Sequence, residues 1–481
     1  MAGKVGGRLM EFAFGVILAR LLMPADFGMI ATIAVFTGFV GMFTAGGMGQ
    51  SLIRAKQADE NDFTAVFTLQ LAMGILVYLG FYVAAPWIAR MFDNPLYTDL
   101  IRVSALSFLL RPFLVMRTAW LTREMNFKSR TVVSVVIGLL TGVVSTVLAL
   151  LGMGVWSLTL AGLLASIVQN LWLARFVPLK LRLNPHLATM RKHSGFGAKI
   201  VANDFVSYLN RESKTLLLSK LAGPAFVGLF NKAESLSRLP NQLLMSPTME
   251  PLFRAVGTSQ DDLDQVKYMY YRAITLLTVY TTPLYVLIWW IAEPFVVFVY
   301  GENWAQAGPA MGILATAGVF LNILFPSSII LAACNRLGKE IVAQSINLLL
   351  VLAVCIVGLN YGLEGVAWGI VLAQTLLALH LYWLVTGVIA TSPRDLLAAL
   401  LPGLALSTLL FIFLGAMDHL ASGMQESHPF LYICLMSATG GLVYLTAFIF
   451  IPIQSIRTEA LRWRQAIVSG MLALGRYGSK A

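Results

Sequence analysis

The sequence predicts an all-α polytopic membrane protein of about 14 transmembrane helices: two parallel six-helix lobes plus two C-terminal helices. Three observations lead there. Of 481 residues, 58% are hydrophobic and 12% charged, with a mean hydropathy of +0.78. Soluble domains carry roughly 25% charged residues, and half that amount cannot coat a soluble particle of this size. The apolar residues gather into runs of spanning length, and part of the pattern recurs at an offset of 200 residues.

In chain order the expected spans lie near 5–22, 26–46, 63–88, 98–118, 131–151, 154–176, 196–218, 225–247, 268–299, 306–332, 341–359, 363–388, 395–416 and 430–452. A crossing needs about 20 apolar residues, so fourteen leave roughly 14 per loop and no room for a soluble catalytic domain. The first span has no small-residue cleavage site before Pro24, so it is expected to act as its own insertion signal. The spans at 196–218 and 225–247 are polar enough that hydropathy alone would miss them.

Alternate loops collect the basic residues, as cytoplasmic loops do. Arg54, Lys56, Arg123, Lys128, Arg130, Lys180, Arg182, Arg191, Arg254, Lys267, Arg336, Lys339 and Arg394 fall on one side. The other side holds Arg20, Arg90, Arg102 and Lys220, and its loop at 417–429 has neither Lys nor Arg. This asymmetry predicts a multi-pass membrane protein with both termini cytoplasmic. The net charge of +11 then belongs to the inner loops and not to a nucleic-acid surface. Cys334, Cys355 and Cys434 lie in apolar stretches without metal-ligand spacing.

The repeat restores the two polar spans. LARLLMPADFG from Leu18 meets LSKLAGPAFVG from Leu218, placing Leu21 on Leu221, Pro24 on Pro224, Ala25 on Ala225 and Gly28 on Gly228. SLIRA at 51–55 meets PLFRA at 251–255 in the same register, and GMGVWSLTLAGLLA echoes LEGVAWGIVLAQTLLA from Leu363. The expected divisions are a first lobe with its following loop (1–190), a second lobe (191–390), two further spans (391–453) and a basic amphipathic tail (454–481).

Ionisable groups inside spans cost roughly 2.5–3.5 kcal/mol each at mid-bilayer, so they mark function or internal pairing. The seventh span holds Asp204, Asn210, Arg211, Glu212 and Lys214; the eighth holds Asn231, Lys232, Glu234, Arg238 and Asn241. Asp204, Arg211 and Lys214 fall within about 80° of one helical face, and Asn231, Glu234 and Arg238 share a stripe. Arg8 and Glu11 share a face of the first span, and Arg111 sits beside Pro112 in the fourth. One reading is a hydrated, largely cationic cavity for an anionic headgroup, since a guanidinium grips phosphate oxygens bidentately. The other is internal salt-bridging, with Lys214 and Lys232 reaching for an interface. Pro283 and Pro326 could permit bending, and His380 reads as an interior residue. No Walker loop, nucleophile elbow, HExxH or EF-hand pattern is present, which argues against an enzyme.

The stretch ILARLLMPADFGMIATIAVFTGFVGMFTAGGMGQSLIRAK, REMNFK at 123–128, GMGVWSL from Gly152 and LAGPAFVGLFNKAESLSRLP from Leu221 carry a resemblance. Together they resemble bacterial polysaccharide flippases of the multidrug/oligosaccharidyl-lipid/polysaccharide exporter superfamily. That resemblance implies two lobes in a V around a central cavity. It implies transport of an undecaprenyl-diphosphate-linked oligosaccharide across the bacterial cytoplasmic (inner) membrane by alternating access, for exopolysaccharide, capsule or O-antigen synthesis. A polysaccharide polymerase and export machinery would be partners, and nucleic acid would not. No cofactor is implied; Glu11, Asp204 or Glu234 could carry a coupling Na⁺ or H⁺, or balance charge. The chain starts almost inside its first span, where relatives carry a basic stretch, which leaves the completeness of the N-terminus and the roles of Arg8 and Glu11 open. Two alternatives stay open beside the flippase: a Na⁺- or H⁺-coupled drug or metabolite antiporter of the same superfamily, and a polysaccharide polymerase or ligase.

Overall fold

The expected spans all fall on helices in the computed structural model, which describes residues 2–45, 47–55, 58–259 and 261–465. The chain forms two compact units, Met1–Asn231 and Lys232–Ala481. The first unit holds α1 (Ala2–Leu21), α2 (Pro24–Ala45), α3 (Met48–Arg54), α4 (Glu60–Met91), α5 (Leu96–Ala105), α6 (Ser107–Arg123), α7 (Phe127–Leu150), α8 (Trp156–Phe176) and most of α9 (Leu187–Ser237). The second holds α10 (Leu239–Thr258), α11 (Leu263–Tyr300), α12 (Ala307–Thr316), α13 (Gly318–Ala333), α14 (Leu337–Gly358), α15 (Gly362–Thr386), α16 (Pro393–Leu420), α17 (Ser422–Ser427) and α18 (Pro429–Phe450).

Among the described residues eight helices are long and apolar enough to cross a membrane, or nine if α12 and α13, bent by 48°, form one span. The gap from fourteen has physical causes. Lys4, Arg8, Glu11 and Arg20 interrupt α1, and the span expected at 98–118 is two short helices meeting at Leu106. The 196–247 region carries its many ionisable groups, while α14 and α15 merge into one apolar stretch, Leu337–Thr386. Large apolar side chains cover the outside of the spans: Leu76, Leu171, Leu349, Leu401, Ile412 and Leu442 are all well exposed. Lipid is the solvent such a surface needs.

In the first unit the motif residues prove to be joints. Asp26 Oδ2 accepts from the Met23 N–H at 3.0 Å, turning the chain into α2. Arg123 Nη1 donates to the carbonyls of Leu52 (3.0 Å) and Ala55 (2.6 Å), satisfying the C-terminal end of α3. Asn126 N-caps α7 through the Ser129 N–H at 3.1 Å. Ser157 Oγ donates to the Gly154 carbonyl at 2.7 Å where the chain enters α8.

The repeat has a direct structural counterpart. A Cβ on Gly28 would collide with the carbonyl oxygen of Pro224, and a Cβ on Gly228 would collide with that of Pro24. The two pairs related by the 200-residue offset thus close on each other reciprocally, backbone against backbone. Only glycine permits that approach. Around this contact Thr32 Oγ1 and Ser219 Oγ share a 2.7 Å hydrogen bond, the Tyr208 hydroxyl donates to the Val35 carbonyl, and Lys220 Nζ lies 2.9 Å from Asp93 Oδ2. α9 turns just before it, at Gly223 (φ 85°) followed by Pro224.

In the second unit α11 is the central helix, packed by α10, α12, α13, α16 and α18. Its buried polar groups pair internally: Asn322 Nδ2 donates to Thr281 Oγ1 at 2.8 Å, and Tyr270 Oη shares a 2.8 Å bond with Ser327 Oγ. Proline has no N–H, so Pro283 leaves the Val279 carbonyl without its helical donor, and the Tyr444 hydroxyl of α18 donates to it instead. Pro86 does the same to Tyr82 in the first unit, whose carbonyl accepts from Arg102 Nε at 3.3 Å. The start of the expected tail is helical over 457–465 and is fastened to α11: Arg272 bonds the Ser455 carbonyl at 2.7 Å and Glu459 at 2.9 Å. Residues 466–481 of that tail lie outside the described residues.

Candidate functional site

The candidate residues fall into two sets, one in each unit. In the first unit α9 carries Asn210, half-buried, and Arg211, whose side chain is 67% exposed. Arg211 Nε bonds Glu212 Oε1 at 2.9 Å, and its guanidinium stands 5.7 Å from the Tyr208 ring. Lys214, one turn on, is half-buried with Nζ 5.7 Å from the fully buried ring of Phe230. Asn231 is half-buried at the end of this unit. Arg111 lies elsewhere in it, on α6, packed so closely on α2 that a Cβ at Gly41 would collide with its guanidinium. Glu11 is exposed on α1. The side chains of Arg8 and Asp204 lie outside the described residues.

In the second unit the stripe read from the sequence is compact. Glu234 Oε1 accepts from Arg238 Nη2 at 2.8 Å across one helical turn. Arg238 stands at the junction of α9 and α10, where Pro240 follows and cannot donate to the Leu236 carbonyl. One step further, Asn241 is 5% exposed, and neither its Oδ1 nor its Nδ2 has a hydrogen-bond partner among the described residues. The Tyr285 hydroxyl of α11 lies against the Asn241 backbone and within electrostatic reach of Arg238. A helix break, a charged pair and a buried carboxamide without a partner among the described residues therefore meet at one place. Such a break inside a span lets polar groups serve a ligand or an ion.

Residues 17–309 match the family model described as "Polysaccharide biosynthesis protein". The chain belongs to that polysaccharide biosynthesis family. The succinoglycan biosynthesis transport protein ExoT of Rhizobium meliloti (strain 1021) is 27% identical over 340 residues, covering 70% of this chain and 67% of the relative. The lipopolysaccharide biosynthesis protein WzxC of Escherichia coli (strain K12) is 24% identical over 392 residues, covering 80% and 79%. The fold is that of the lipid II flippase MurJ in an inward closed conformation, with a TM-score of 0.72 at 16% identity over 92% of this chain and 96% of that one. Family membership places the chain among membrane transporters, not enzymes.

Lys232 packs on two aromatic rings of the second unit. Its Nζ stands 4.6 Å from the Tyr300 ring centroid and 5.2 Å from that of Trp304, at the end of α11. These are cation–π contacts, each worth about 0.5–2 kcal/mol. Tyr285, Tyr300 and Trp304 were not among the candidates read from the sequence. Their spacing from the charged stripe exceeds forty residues, and no local pattern announces them.

Proposed function

We propose that this chain is a flippase that moves oligosaccharide repeat units linked to undecaprenyl diphosphate from the cytoplasmic to the outer leaflet of a bacterial inner membrane, by alternating access. The observation that carries the proposal is that a chain of a polysaccharide biosynthesis family keeps Arg211, Lys214, Lys232 and Arg238 on α9 and its junction with α10. Charged groups at span depth are retained where they serve a path, and guanidinium groups suit a diphosphate. The name of ExoT supports transport in polysaccharide biosynthesis, that of WzxC supports a place in lipopolysaccharide biosynthesis, and that of MurJ supports the flipping of a lipid.

The fuller reading has fourteen spans. It counts α1, the α5–α6 pair, the two arms of α9–α10 and the separate helices α14 and α15 as crossings. Both termini are then cytoplasmic, and the repeat-based lobes are 1–190 and 191–390. The double variant Arg211→Ala/Arg238→Ala tests the site. Transport should be lost while the protein stays in the membrane at wild-type level. Unchanged transport would remove these arginines from the path, and loss of the protein from the membrane would make them structural.

A further inference from the structure

At one end of the second unit, α11, α12, α15, α16 and α17 line an open hollow of about 390 Å³ that the charged stripe does not use. Trp289 and Trp368 face it with partly exposed indoles, beside the carboxylates of Glu293, Glu364 and Asp418 and the carboxamide of Gln425. Its walls are fixed. The fully buried Tyr432 donates to Asp418 Oδ1 at 2.6 Å. A Cβ on Gly308 would stand 2.7 Å from Glu293 Cα, so α12 lies flush on α11 and adds no bulk to the floor. A third indole, Trp290, also lines the cavity, and its buried Nε1 has no hydrogen-bond partner among the described residues.

Tryptophans gather at membrane interfaces in any case. An aromatic belt accounts for the indoles, but not for three carboxylates and a carboxamide in the same hollow. No lysine or arginine lines the cavity among the described residues, so an anionic ligand would be repelled. Nor, among those residues, do three His, Cys, Asp or Glu side chains come close enough to hold a metal ion. Indoles beside carboxylates suit an organic cation as well as an uncharged sugar; membership of a polysaccharide biosynthesis family favours the sugar. A pyranose ring lays its C–H face on an indole face, and its hydroxyls donate to carboxylate and amide oxygens. The volume suits a small ligand.

We propose that this cavity is a subsite for an uncharged pyranose residue of the transported glycan, on the face that the loop charges place outside the cell. The proposal rests on the flippase reading and adds to it a class of sugar and a place of contact on the exit side. The test uses the full-length chain in nanodiscs and the radiolabelled oligosaccharide released by mild acid from the carrier lipid of the producing cells. Wild type should bind saturably, Trp368→Ala and Glu364→Gln should weaken binding at least about tenfold, and Trp368→Phe, which keeps an aromatic face, should stay close to wild type. Both residues are exposed, so the variants should keep the fold; gel-filtration profiles check it. Absence of saturable binding, or unchanged affinity in both weakened variants, overturns the subsite. A deletion strain that leaves lipid-linked oligosaccharide normally distributed between leaflets overturns the flippase reading instead, whatever the binding shows.

Discussion

Asn241 sets the problem of this site at the scale of one residue. A buried carboxamide with neither polar atom bonded among the described residues costs about 1–3 kcal/mol. In the path we propose, Asn241 finds its partner in another state or with cargo present. Asn241→Leu therefore should raise the thermal midpoint of the purified protein while lowering transport. A variant that gains stability and transports normally would make Asn241 a packing defect without a role. Helical spacing alone puts Glu234, Arg238 and Asn241 on one stripe, so the linear chain reveals them. It does not reveal Tyr285 or the Tyr300–Trp304 pair at Lys232, since these arrive from α11 and the turn beyond it through tertiary packing. Spacing also groups Arg211 with the residues along its own face, whereas its bonded neighbour is the adjacent Glu212.

At the scale of the element, the Pro–Gly contact between α2 and α9 is the feature most open to challenge. Gly28 and Gly228 face the carbonyls of Pro224 and Pro24 with no space for a side chain. Overpacking costs about 1–3 kcal/mol even where side chains can adjust, and a backbone carbonyl adjusts less. Gly28→Leu and Gly228→Leu should each lower the thermal midpoint and abolish transport, and the two effects on the midpoint should be less than additive, because either substitution already parts the helices. Full additivity, or normal transport in either variant, would mean that the two glycines do not share one contact. The recurrence of Pro and Gly at a common offset is legible in the linear chain, whereas the contact between the two pairs comes from the folded structure alone. Less legible are the breaks. The 98–118 region splits at Leu106 and α9 gives way to α10 at Arg238, and neither boundary carries a glycine to announce it.

At the scale of the whole molecule, composition points to the environment, and the repeat is the basis of the two-lobe reading proposed above. Hydropathy alone finds eight or nine spans among the described residues; part of the shortfall comes from the helices that bear the charge, which fail an apolarity test for the same reason that makes them candidates for the path, and the rest from the short α5–α6 pair and the merged α14–α15 stretch. The sugar of the cargo leaves no trace in the linear sequence. The Trp289–Glu364–Asp418 hollow is assembled from three helices far apart in the chain, and only folding brings them together. The central claim concerns direction: a lipid-linked oligosaccharide crosses from the inner to the outer leaflet. Its most direct test is the sidedness of that lipid in cells lacking the gene, read with a membrane-impermeant probe of the outer leaflet. The account predicts accumulation on the cytoplasmic leaflet, reversed by the wild-type gene and not by the Arg211→Ala/Arg238→Ala variant. Normal sidedness in the deletion strain would contradict it; loss of polymer with that normal distribution would point to polymerisation or ligation, and intact polymer to an antiporter.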